Sequence, residues 1–224
     1  MSALSKAKEP FCFNTRLHLS ELTGLRAANL EQLLNLIKEV SGSSIYHHTH
    51  RFLQQHQFLS PEPPNDFAYW VTEILGENEL GERLASIDTM QFSRIHDLRE
   101  SIVKTIEDYL NENPSSRLRF ARLGEEFHFI KSVSFVIPTK YVACDLADFI
   151  EILRKITMDS IYFHIFEARL RLERKTNDFS NWIETSLEDK ELADELTALD
   201  PYTRTLEDLR NAIIAMVEKR MFSQ

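Results

Sequence analysis

Asn65-Asp66-Phe67-Ala68-Tyr69-Trp70 is the stretch on which the reading of this chain turns, because it returns as Asn177-Asp178-Phe179-Ser180-Asn181-Trp182. Laid down without a gap, Asn65 to Asp88 and Asn177 to Asp200 share nine identities in 24 positions, where chance gives roughly one or two; such self-similarity marks a repeated structural unit. Further upstream, Ser44-Ile45-Tyr46-His47-His48 lies over Ser160-Ile161-Tyr162-Phe163-His164, and Phe11-Cys12-Phe13 over Phe127-His128-Phe129. The sequence therefore reads as an internal duplication: a disordered N-terminus at 1–10, repeat one at 11–110, a linker at 111–126 and repeat two at 127–224. A unit that packs on its own copy tends to do so about a twofold axis, as identical subunits do, so both repeats are expected in one compact domain with pseudo-twofold packing.

Five glycines in 224 residues are few for a sandwich, a barrel or a doubly wound sheet, which use glycine at turns and close approaches. The expected fold class is mainly α, with about five helices per repeat and a short strand at the start of each. Phe11-Cys12-Phe13 running into Leu17 and Leu19 suits a short strand that Gly24 ends. Its counterpart runs from Phe127 to Phe135, with Pro138 as the breaker. Asn29 is placed to cap a helix with Leu30, Leu33, Leu34, Ile37 and Val40 on one face, and Asp145 caps the matching run of Leu146, Phe149, Ile150 and Leu153. A second helix opens near Ser41-Gly42, and Asn65 or Asp66 caps a third. Fifth helices are expected from Ser93 to Leu110 and around Leu206 to Met221. Ser60-Pro61-Glu62-Pro63-Pro64 is a stiff connector that repeat two lacks.

A formal charge of -9 argues against a nucleic-acid partner, which calls for a basic face; Arg117, Arg119 and Arg122 between the repeats read as a solvated linker. No apolar run has the length of a membrane span or a signal-peptide core, so a cytoplasmic, non-membrane protein is expected. Cys12 and Cys144 are too few and too far apart for a disulfide framework or a paired zinc site.

The chemistry-bearing density is Tyr46-His47-His48-Thr49-His50 with His56. On a helix His47 and His50 share a face, whereas His48 and His50 point apart. Only His48 has a histidine twin, His164. With Cys12 over His128, the set His48, His164, His128 and Cys12 offers four ligands to zinc or iron, and Glu126, Glu167 or Asp66 offers a carboxylate base. The competing reading makes the twin histidines core residues bonded to neighbouring groups and Cys12 a small apolar filler. His47, His50, His56, Tyr46 and Arg169 are the candidates to line a small-molecule site, against a solvated helix face as the plainer account. The Asn-Asp-Phe-x-x-Trp pair likewise reads as a cap with core aromatics, or as a pocket wall with Asp66 or Asp178 as base. No phosphate loop, nucleophile elbow or paired Cys-x-x-Cys occurs.

At Ser44 to His50, Phe52 to His56, Ser60 to Trp70 and Tyr162-Phe163-His164-x-Phe166-Glu167-Ala168-Arg169-Leu170, the chain resembles a bacterial family catalogued only as a domain of unknown function. The likeness runs from about Phe11 to Arg220 and implies no activity, cofactor or catalytic residue. The leading expectation is ligand or transition-metal binding at a histidine-rich cleft between the repeats, with metal-assisted catalysis in view. The alternative is a non-catalytic regulatory or protein-interaction module.

Overall fold

A computed structural model of the chain describes residues 6–55, 65–168, 176–199 and 204–222. Two 17-residue strands, β1 (Phe11–Ala27) and β2 (Phe127–Ala143), pair as an antiparallel ribbon. Ten α-helices occur among the described residues. Between the strands lie α1 (Leu30–Glu39), α2 (Gly42–Gln55), α3 (Asp66–Glu73), α4 (Asn78–Ala85) and α5 (Ile95–Glu112). After β2 come α6 (Leu146–Leu153), α7 (Met158–Tyr162), α8 (Asp178–Ser186), α9 (Lys190–Ala198) and α10 (Leu206–Phe222), and α7 runs on into a π-helical turn over Phe163–Glu167.

The chain is thus α+β, which corrects the mainly-α expectation with its short opening strands. Two residues read as strand breakers do not break the strands. Gly24 takes φ 78 inside β1, a left-handed step that glycine makes without a Cβ clash and that a ribbon absorbs. Pro138 sits within β2 because a two-stranded ribbon leaves an outer edge on each strand, where a missing N–H removes no ladder bond. Thr139 Oγ1 donates to the Phe13 carbonyl at 2.6 Å and Thr23 Oγ1 to that of Phe129 at 2.7 Å. One index falls as the other rises, as antiparallel pairing requires.

Packing divides the described residues into two units, 6–17 with 134–222 and 18–55 with 65–133. In the α1–α5 unit the opening strand segment comes from β2: Phe127 packs 5.2 Å from Phe67 and 5.8 Å from Trp70 between ring centroids. In the α6–α10 unit it comes from β1, with Phe11 5.4 Å from Phe179 and 5.5 Å from Trp182. Each core therefore takes its first strand segment from the opposite half of the sequence. His56, Arg169 and the proline connector lie outside the described residues.

Four caps stand where the sequence places them. Asn29 Oδ1 accepts from Gln32 N and Asp145 Oδ1 from Asp148 N, at 2.8 and 2.9 Å. Asn65 Oδ1 accepts from Ala68 N and Asn177 Oδ1 from Ser180 N, at 2.8 and 2.9 Å. Asparagine thus settles the choice between Asn65 and Asp66 as cap, and each aspartate is the first helical residue with its carboxylate left for another partner. Below the caps Phe67 and Phe179 are fully buried, each contributing roughly 1.5–3 kcal/mol by leaving water. Trp70 Nε1 donates to the Glu125 carbonyl at 2.7 Å and Trp182 Nε1 to that of Glu9 at 2.8 Å. Residues expected as linker or frayed end are held by these bonds, and Ala7 N also donates to the Cys144 carbonyl at 2.8 Å.

Candidate histidine-aspartate sites

His48, on α2, is buried and uses both ring nitrogens. Its Nδ1 lies 2.8 Å from Asp66 Oδ2, and its Nε2 lies 3.0 Å from the backbone nitrogen of Ile130 on β2. A backbone N–H can only donate, so Nε2 is the acceptor, and a carboxylate can only accept, so the proton sits on Nδ1. The ring is clamped among Phe127, Phe67 and Phe129, at 4.7, 5.5 and 5.9 Å. Asp66 stands at the N-terminus of α3, where the helix dipole favours a carboxylate. Helix α2, helix α3 and strand β2 are pinned together by one imidazole.

His164, in the π-helical turn, makes the same set of contacts in the α6–α10 unit. Its Nδ1 lies 2.7 Å from Asp178 Oδ2, and its Nε2 accepts from Asn14 N on β1 at 2.9 Å. Phe11, Phe179 and Phe13 surround it at 5.0, 5.3 and 5.9 Å. Asp66 and Asp178 thus serve as partners of the twin histidines.

Beyond the pins the two units part. In the α1–α5 unit His47 Nδ1 lies 3.2 Å from Ser132 Oγ, which lies 3.3 Å from His18 Nε2. His47, His48 and Asp66 each offer a ligand atom, all within 4.8 Å of one another. His50 stacks on Tyr46 at 5.1 Å and approaches Thr49 Oγ1 through Nδ1 at 2.8 Å; burial pushes its imidazole down to about 4. In the α6–α10 unit Phe163 replaces His47. Arg16, two residues along β1 from Asn14 as Ser132 is two along β2 from Ile130, pairs with Glu167 and lies 4.1 Å over the Tyr162 ring. Ser134 Oγ donates to the same Glu167 carboxylate at 3.5 Å, and Phe166 stacks on Tyr162 at 4.7 Å. A polar histidine cluster in one unit thus answers to a buried ion pair with aromatics in the other.

The remaining candidates are divided between the two units. Cys12 and His128 occupy outward positions of β1 and β2, each exposed between two buried phenylalanines. His48 and His164 sit in different units, each with its own aspartate. Glu126 accepts from Gly124 N at 2.8 Å and lies 3.9 Å from Arg26; its carboxyl is held low by its own backbone N–H and then that of Gly124, against a burial effect that raises it. Sequence reasoning passed over His18 and Ser132. A signal was present, since the offset that sets His128 on Cys12 also sets Ser132 on Arg16 and Ser134 on His18, two of several exchanges of side-chain chemistry between the strands.

A family model described as a family of unknown function, DUF5752, matches residues 8–218. A solved structure, that of OrfY from Thermoproteus tenax, is similar at 30% identity and a TM-score of 0.82, covering 97% of this chain and 98% of that one. No curated protein matches the chain. No helix among the described residues is long and apolar enough to cross a membrane.

Proposed function

The chain belongs to the family of unknown function DUF5752, and for this member we propose that the α1–α5 unit binds a divalent transition metal through His47, His48 and Asp66. The observation that carries the reading is the convergence of two imidazoles and one carboxylate with ligand atoms within 4.8 Å. Two histidines and one carboxylate form the donor set of open zinc sites and of non-haem iron(II) sites, in which the remaining positions take water or substrate. His48 Nδ1 and Asp66 Oδ2, 2.8 Å apart, can both reach a cation about 2.0–2.1 Å from each, so the metal would displace the proton they share. Bound there, zinc would bring the pKa of a coordinated water to about 7 and supply hydroxide for hydrolysis.

The test is elemental analysis of tag-free protein after reconstitution with zinc or iron(II), beside His47→Phe. That substitution installs the residue the α6–α10 unit carries at the matching position. One equivalent per chain in the parent and none in the folded variant supports the reading; an empty parent sinks it.

A second reading, a non-catalytic interaction module, is favoured by two observations. Both nitrogens of His48 already have partners, and the α6–α10 unit builds the same pin beside Phe163, so the pin is a folding device in its own right. Leu118, Phe120 and Leu123 stand 79%, 61% and 95% exposed, exposed apolar side chains close in sequence that a protein partner would cover. A metal-free parent that forms a stable complex, lost when these three residues are changed to Ser, would establish it.

A further inference from the structure

We infer that Ser132 and His18 are positioning residues for His47, forming a hydroxyl relay that keeps the His47 proton on Nδ1 and presents Nε2 to a cation. The inference rests on the metal reading above and adds to it the groups that set the geometry and tautomer of one ligand.

Ser132 Oγ lies 3.2 Å from His47 Nδ1 and 3.3 Å from His18 Nε2. A hydroxyl has one proton to give, so a chain of imidazole, hydroxyl and imidazole has two polarities. In one, His47 Nδ1–H donates to Ser132 Oγ, whose own proton goes to His18 Nε2. In the other, every bond reverses and His47 carries its proton on Nε2. Only the first leaves a lone pair on His47 Nε2, the nitrogen the inference gives to the metal because Nδ1 faces Ser132, and an imidazole ligand is commonly held this way, with its other N–H given to an outer partner that fixes the tautomer. Ser132 and His47 are both buried, at 9% and 6% exposure, where an ill-directed donor or acceptor is costly.

The second observation comes from the other unit. His48 and Asp66 have counterparts in His164 and Asp178 with the same bonds. His47, Ser132 and His18 do not: Phe163, Arg16 and Ser134 stand at the matching positions, and the polar contacts there include Arg16 with Glu167 and Ser134 with Glu167. The three members of the relay are present together in one unit and absent together from the other, while the pin beside them is common to both. That is the pattern of three side chains serving one purpose separate from folding.

The experiment measures zinc affinity by chelator competition in the parent, Ser132→Ala, Ser132→Thr and His47→Phe, with ¹⁵N-histidine NMR of the zinc-loaded proteins. Loss of such an outer partner typically weakens binding roughly 10–100-fold. Ser132→Ala is expected to show that loss, Ser132→Thr to restore affinity to within a few-fold, and the parent spectrum to show His47 protonated on Nδ1. A parent that binds zinc with unchanged affinity in Ser132→Ala, or with its His47 proton on Nε2, overturns the relay and leaves the metal site standing. A parent that binds no zinc overturns both.

Discussion

Breaking the ion pair of the α6–α10 unit should cost far more than removing it whole. The Arg16 side chain is 0% exposed and that of Glu167 15%, so Glu167→Gln takes a neutralising charge from a guanidinium that water cannot reach. Removing one partner of a buried pair typically costs about 3–5 kcal/mol, whereas replacing both with apolar residues of similar volume is often neutral. The stack on Tyr162 is common to parent and variant and glutamine keeps an oxygen that can accept from the guanidinium, so the lower end, about 3 kcal/mol, applies. For a unit of this size a urea slope of about 2 kcal/mol per molar is expected, which places the midpoint of Glu167→Gln about 1.5 M below its parent. The chain has two tryptophans, Trp70 in one unit and Trp182 in the other. In a Trp70→Phe background, fluorescence therefore reports unfolding of the α6–α10 unit alone. Arg16→Met with Glu167→Leu in that background should unfold within about 0.5 M of the parent. A single variant that shifts by less than 0.3 M, or a double variant as damaged as the single, would refute the reasoning.

Two further outcomes concern the α1–α5 unit. His50, held down to about 4 from the ordinary 6.5, is neutral in the fold, and the unfolded chain takes its proton first as the pH falls. Its stabilising effect is full above pH 6.5, declines through the interval and is gone below pH 4, with about 2 kcal/mol lost by pH 5. His50→Phe, which follows Phe166 at the matching position, should flatten the drop in urea midpoint between pH 7 and 5; an equal drop in the variant would assign the dependence elsewhere. Asn65→Ala should cost about 1–2 kcal/mol for the cap and more for the buried bond from Asn65 Nδ2 to the Leu84 carbonyl at 3.1 Å. Asn65→Asp should recover only the cap, and calorimetry giving Ala and Asp the same melting temperature would contradict this.

What the sequence made legible is what short-range rules govern. The caps at Asn29, Asn65, Asp145 and Asn177, and the buried stripes behind them, follow from residues within one helical turn of one another. The length of the strands did not, because their middle portions bury little: Leu17, Leu22 and Phe135 are 50%, 73% and 53% exposed, so the alternation that marks a half-buried strand fades there. Nor could spacing show that Phe127 serves the helices before it and Phe11 those after it, since pairing at long range leaves no local periodicity. The histidine density was visible, but the partners that give it meaning, Asp66 on the next helix and Ser132 and His18 on the strands, come together only in the fold.

Exchange of the opening strand segments sets the timetable on which this protein can be made. Asn14 meets His164, 150 positions later, so at roughly 5–20 residues per second the Phe11–Phe13 segment leaves the ribosome some 8–30 s before its core exists. Until then two phenylalanines destined for full or near-full burial stay in the open, a natural hold for a chaperone. The α1–α5 core closes first, once Ile130 emerges to meet His48. Cutting the gene at the boundary between the sequence repeats would yield two fragments that each lack a strand; a self-sufficient half would need residues 6–17 spliced ahead of residue 134.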